Sequence, residues 1–204
     1  MAINEPKLNV LISSKQKEFA EERADIRAMM APLPLLVADA AEDWPAQSAS
    51  IRETFLKAAQ NCAIYIGLFG CVYSAPTIEE YRATAANPYR QILVYVKDCV
   101  ARRDAELAAF LKEVNDPETG RVVVEFRDWA QVRPNFERHM WAAIQRMIGH
   151  LLELGNKPVS LSRPGALERK RHAYVQALHE MGLPAEAEQA GQLVNALRRF
   201  APSR

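Results

Sequence analysis

Ala63-Ile64-Tyr65-Ile66-Gly67-Leu68-Phe69 is an unbroken apolar run of strand length, closed by Gly70. A run of this kind, aromatic and β-branched without polar alternation, suits a central parallel strand covered on both faces. Towards the N-terminus, residues 8–12 read as a second buried strand, followed at once by Ser13 and Ser14. Residues 15–30 have helical period, with Phe19, Glu22, Arg23, Ile26 and Met30 on one face, and Pro32 and Pro34 end that segment. A short strand at 35–38, a loop holding Asp39, Asp43, Trp44 and Pro45, and a helix at about 50–60 complete the first half. Towards the C-terminus come a helix at 77–86 stopped by Asn87-Pro88, a strand at 91–96 and a helix at 105–114. A turn at 116–120, a strand at 122–126 and a long helix at 132–154 follow, the last with Phe136, Met140, Ile144, Met147 and Leu151 on its inner stripe.

Five strands alternating with helices predict an α/β fold with a doubly wound, flavodoxin-like parallel sheet in the order 2-1-3-4-5. In that topology the ligand site lies at the carboxyl ends of strands 1 and 3, where the strand order reverses. Residues 1–154 form this domain. Residues 155–204 follow as a linker with Pro158 and Pro164, then two helical segments at 166–181 and 185–200, read as a C-terminal helical hairpin. The tail holds 8 Lys/Arg against 4 Asp/Glu, a charge of +4, and the domain carries the balancing −3.

The 204 residues are 49% apolar and 25% charged, the mix of a soluble globular chain. A net charge of +1 supplies no global attraction to nucleic acid or to an anionic membrane. Cys62, Cys71 and Cys99 form no C-x-x-C pair, so neither a disulfide framework nor a cysteine zinc site is expected, and a reducing compartment fits. The thiols read as inert and buried. The two commonest nucleotide fingerprints, G-x-G-x-x-G and G-x-x-x-x-G-K, are absent. Residues 1–6 lack the layout of a signal peptide, and the uncharged stretch 58–78 is interrupted by Gln60, Asn61, Ser74 and Pro76. The expectation is a cytoplasmic protein with no membrane span.

The strand ends hold the candidates for chemistry. Ser13 and Ser14 could present hydroxyls to phosphate or ribose oxygens, or Ser13 could cap the next helix, since Gln16 stands at capping-box spacing. Gly70 either admits a ligand close to the backbone or turns the chain, and Tyr73 either stacks on a planar base or closes the core edge. Glu80 is expected in the first turn of the helix after strand 3, near the end of strand 1. A carboxylate there can stabilise an oxocarbenium ion or bind a ribose hydroxyl. Thr77-x-x-Glu80 is equally a complete capping box, which is the commoner outcome for that spacing. The four histidines lie on helices away from the strand ends, and no metal site is read from the sequence.

Several of these segments together resemble a TIR-like family of bacterial proteins, a domain of unknown function often found at the N-terminus of multidomain ATPases. The resemblance is carried by Leu11-Ile12-Ser13-Ser14, Glu18, Glu21-Glu22-Arg23, Ile64-Tyr65-Ile66-Gly67-Leu68-Phe69-Gly70, Tyr73-Ser74, Thr77-Ile78-Glu79-Glu80-Tyr81 and Ile92-Leu93-Val94-Tyr95-Val96-Lys97. It implies a TIR-like or nucleoside-deoxyribosyltransferase-like fold, and cleavage of N-glycosidic bonds, commonly the nicotinamide–ribose bond of NAD. Glu80 occupies the catalytic position. The resemblance places Ser13, Ser14, Gly70 and Thr77 around the nucleotide, with Tyr73 and Trp44 as stacking walls. It implies NAD as substrate without a further cofactor, activation by self-association or by a separate protein, and a place in bacterial, anti-phage defence. Arg23 reads as the structural partner of a carboxylate. The chain departs from the family pattern at Cys62 (often Asp), at Val72 and Ser74 (usually Arg and Gly) and at Lys15 (often Thr).

Two alternatives stand beside this reading, the first motivated by those departures. One is a non-catalytic interaction or assembly module, with the helical tail pairing to a partner or to another copy. The other is an N-glycosidic enzyme acting on nucleosides or nucleotides. Under the module reading, deleting residues from Gly155 onward abolishes association, as light scattering would show; full retention of the oligomeric state by the truncated chain refutes that role for the tail.

Overall fold

The computed structural model describes residues 7–33, 35–40, 48–99 and 102–156, the last six by their backbone alone. Its core is a five-stranded, all-parallel sheet in the order β2-β1-β3-β4-β5, formed by β1 (Leu8–Ser14), β2 (Leu36–Asp39), β3 (Ile64–Phe69), β4 (Gln91–Lys97) and β5 (Val123–Phe126). Between and after them run α1 (Ala20–Met30), α2 (Ile51–Asn61), α3 (Ala75–Ala85), α4 (Ala105–Val114) and α5 (Arg133–Asn156). Expected class and strand order are both present. Trp44 and the tail helices expected at 166–200 lie outside the described residues.

All six residues of β3 are buried, as its uninterrupted apolar run requires. Alternation along the strand sends Ile64, Ile66 and Leu68 into one core layer with Phe19 and Ile26 of the α1 side and Phe136 and Met140 of α5. Tyr65 and Phe69 enter the opposite layer with Ile78 and Tyr81 of α3 and Phe110 of α4. Gly67 stands between those two aromatic residues, and a Cβ there would lie 2.7 Å from the Tyr65 ring and 2.8 Å from the Phe69 ring. Its missing side chain lets both rings converge beneath the strand end.

Two boundaries differ from the sequence reading for tertiary reasons. β1 continues through Ser13 and Ser14, because these pair in register with Gly67 and Leu68 of β3. α1 begins only at Ala20. The preceding residues form a turn, with Glu18 N–H donating to the Lys15 carbonyl at 2.9 Å and Phe19 N–H to that of Gln16 at 3.3 Å. This turn lets Glu18 reach the backbone after β3 and buries Phe19 in the core. The capping box that does form is at α2, where the Ser50 hydroxyl accepts from Glu53 N–H and the Glu53 carboxylate accepts from Ser50 N–H.

The cysteine expectation is corrected. Cys71, after β3, and Cys99, after β4, are joined in a disulfide with Cα atoms 5.7 Å apart. They are 28 residues apart in sequence and meet because β3 and β4 are adjacent and parallel, so their following loops emerge side by side. Cys62 alone is a free, buried thiol among the described residues, and burial pushes its pKa up to about 11. The inert-thiol reading therefore holds for Cys62 and fails for the other two. No helix among the described residues is long and apolar enough to cross a membrane.

Closing a loop of 28 residues contributes about 3–4 kcal/mol in the chain-entropy model. Urea unfolding of the wild type should lose stability of that order on adding reductant, whereas Cys71→Ser should start low and not respond. An unchanged wild-type midpoint under reduction would exclude the bond.

Candidate functional site

β1 and β3 end side by side, and the chain leaves them in opposite directions to build α1 and α3. Between the β1–α1 turn and the start of α3 lies a cleft of about 430 Å³, floored by Ser13 and Glu80 and open between Lys15, Lys17, Phe55 and Pro76. Its position is the crevice that the reversal of strand order creates, and its size suits a small-molecule ligand.

Glu80 is the carboxylate of the cleft, buried with Ser13, Arg23 and Thr77. α3 begins at Ala75, with Pro76 in its first turn, so Glu80 is the sixth helical residue, and it is buried. This corrects the expected first-turn placement and removes the capping-box reading, because Thr77 lies inside the helix. Ser13 is equally released from capping, since it belongs to β1 and α1 starts well beyond it. The Ser13 hydroxyl instead donates to Glu80 Oε2. Both groups are nearly sealed from solvent, at 2% and 5% exposure.

Arg23, on α1, backs this pair. Its Nη1 donates to the Ile12 carbonyl at 2.8 Å and to Ser14 Oγ at 3.2 Å, pinning the end of β1. Tyr65 lies fully buried on the α3 side and donates its hydroxyl to the Thr77 carbonyl at 3.3 Å. Burial, and next the charge of Glu80, push the Tyr65 phenol well up, so it stays a neutral donor. At the cleft lip the Ser74 and Thr77 hydroxyls lie 2.8 Å apart in a hydrogen bond.

Burial raises the Glu80 pKa from an ordinary 4.5 to about 7, while the Ser13 hydrogen bond and the Arg23 charge hold it below what burial alone would impose, and Glu79 adds a small upward push. A carboxyl that titrates near neutrality, beside a hydroxyl donor and open to a cleft, is equipped to meet developing positive charge or to exchange a proton. Among the described residues, no cluster of His, Cys, Asp and Glu is placed to hold a metal ion.

Ser13, Ser14, Thr77 and Glu80 thus come together around one cleft. Gly70 and Tyr73 do not line it. The space a Cβ at Gly70 would need is filled by the Glu18 carboxylate, whose Oε1 accepts from Cys71 N–H at 2.7 Å, so the close approach Gly70 permits is made by this chain itself. Tyr73 packs against the α3–α4 core layer, and its N–H donates to Asp104 Oδ2 at 2.8 Å. Phe55 and Tyr65 were not singled out by sequence. For Phe55 the signal in the sequence is the Ile51–Phe55–Ala59 spacing, one face of a helix, and along α2 these residues run from exposed through half-buried to buried.

The molecule is a doubly wound α/β protein with a buried carboxylate–hydroxyl pair at its topological switch point. Residues 9–140 match the family described as a domain of unknown function (DUF4062), and the chain belongs to that family. The matched segment includes every cleft residue named above. No curated protein matches the chain.

Because the folded-state pKa of Glu80 lies above its ordinary value, the stability it contributes is complete below about pH 4.5 and is lost as pH rises through about 7. The loss is on the order of 3 kcal/mol at about 1.4 kcal/mol per pH unit. Glu80→Gln should therefore melt several degrees above wild type near pH 9 and together with it near pH 4. Parallel melting curves at both pH values would show that Glu80 keeps an ordinary pKa.

Proposed function

We propose that the chain is a TIR-like NAD glycohydrolase that cleaves the nicotinamide–ribose bond, with Glu80 stabilising the ribosyl cation. The observation that carries this reading is the buried Glu80–Ser13 pair in the cleft at the ends of β1 and β3. The resemblance of the segments around both residues to the TIR-like group supports it. In the reaction, the C1′–N bond breaks heterolytically and its electron pair goes to the pyridinium nitrogen. Nicotinamide therefore leaves neutral and needs no general acid. Positive charge spreads over C1′ and the ring oxygen, where an ionised Glu80 opposes it in a site of low water access. Water then bonds to C1′ and releases a proton, giving ADP-ribose.

Ser13 holds one oxygen of Glu80 in place and favours its ionised form. Lys15 and Lys17, at the cleft rim, supply positive charge for the diphosphate. Activation by self-association, or by a separate protein, belongs to the same proposal, as does a role in bacterial defence.

The decisive measurement is nicotinamide release from NAD by the full chain, across protein concentration and pH. Release should rise steeply with concentration. Its kcat/KM should climb with pH through about 7 as Glu80 ionises. Glu80→Ala should lose about 10²–10³-fold in rate. Ser13→Ala, which removes a bond that lowers the Glu80 pKa, should move the ascending limb to higher pH and lose roughly ten-fold near neutrality. Full cleavage by Glu80→Ala overturns the assignment. No release at any concentration or pH points to the non-catalytic assembly module.

A further inference from the structure

Two groups of residues of different chemistry line the cleft that holds Glu80. One is the β1–α1 turn, carrying Lys15, Gln16 and Lys17. Glu18 braces this turn by inserting its carboxylate against Gly70 and accepting from Cys71 N–H. The other is apolar, formed by Phe55 of α2 and Pro76 of α3. It is braced as well: Arg52 and Glu79 bridge the two helices at 2.8 Å, and the Thr84 hydroxyl donates to the Ala59 carbonyl at 3.1 Å. The Ser50–Glu53 capping box fixes the first turn of the same helix.

We infer that the cleft holds its substrate in a single polarity, with the leaving aromatic base against Phe55 and the phosphate groups along Lys15 and Lys17, so that Phe55 selects the leaving group. This rests on the glycohydrolase reading, under which the reacting C1′ sits over Glu80. The base and the 5′-phosphate then diverge from the ribose towards the two groups of residues. In the reverse orientation the anionic diphosphate would lie on Phe55 and Pro76, where the described cation, Arg52, is already paired with Glu79. The cationic nicotinamide ring would meanwhile face two lysines. Both contacts are electrostatically unfavourable, whereas the assigned polarity pairs anion with cation and ring with ring. The same arrangement favours a phosphorylated nucleotide over an uncharged nucleoside as the substrate class.

Binding of the two product halves separates the walls without any turnover. Titration calorimetry of the full chain with ADP-ribose alone and with nicotinamide alone provides the readout, and circular dichroism checks each variant's fold. Phe55→Leu, which keeps apolar volume but loses the aromatic face, should weaken nicotinamide about ten-fold and leave ADP-ribose within about two-fold. Phe55→Trp should retain nicotinamide. The Lys15→Ala/Lys17→Ala pair should weaken ADP-ribose about ten-fold at low salt, less at high salt, and leave nicotinamide unchanged. The converse pattern, equal losses for both ligands in either variant, or no binding of either ligand to the wild type, overturns the inference. A failed glycohydrolase reading registers separately, as absence of nicotinamide release from NAD while the binding pattern is still measured.

Discussion

The register of β1 against β3 is the constraint on which the rest of the molecule depends. Val10 through Ser14 stand opposite Ile64 through Leu68, and this carries β1 two residues beyond its apolar run. Adjacent residues of a strand point to opposite faces, so the neighbouring serines address different helical layers. Ser13 meets Glu80 of α3, and Ser14 meets Arg23 of α1. A slip of one residue would exchange the two hydroxyls and break both contacts together. The pairing that builds the core is therefore also what assembles the carboxylate site.

Much of the fold was legible because its parallel strands are apolar runs bounded by proline, glycine and short polar turns. The strand count and the helix between each pair follow from that punctuation, and the order 2-1-3-4-5 from the commonest way to wind it. Less was legible at the ends of elements, where tertiary partners compete with local signals. Three serine or threonine residues stand three places before a glutamate or glutamine, at 13, 50 and 77, and only Ser50 caps a helix. Ser13 is held in the sheet by its pairing, and Thr77 lies inside α3, which starts two residues earlier at Ala75. Sequence spacing places Ser13 and Glu80 near one another through the topology, while the bond between them and the burial that raises Glu80 are properties of packing. The Cys71–Cys99 bond was invisible for a related reason: it joins two loops that become neighbours only when β3 and β4 align.

The loops at the carboxyl edge of the sheet are tied together more heavily than their lengths require. Besides the disulfide, Arg103 donates to the Gly70 carbonyl at 2.9 Å and to that of Lys97 at 2.8 Å, and Asp104 engages both the Cys71 carbonyl and Tyr73 N–H. Glu18 links this set to the β1–α1 turn. Removing a buried carboxylate from water is costly, and a loose surround would relax by letting Glu80 turn outward or water enter. Through Glu18 the bracing reaches the turn that carries Lys15 and Lys17 to the cleft.

Glu18 and Gly70 illustrate how far such a tie reaches. The carboxylate occupies the volume where any other residue at position 70 would carry its Cβ, so the two positions share one space. Neither lies on the cleft floor, yet an alanine at 70 would evict Glu18 and release the turn that presents Lys15 and Lys17. A side chain at 70 consequently requires position 18 to give way, whereas Glu18 can shorten with Gly70 kept. An experimenter who grafts this cleft onto another scaffold must transplant both.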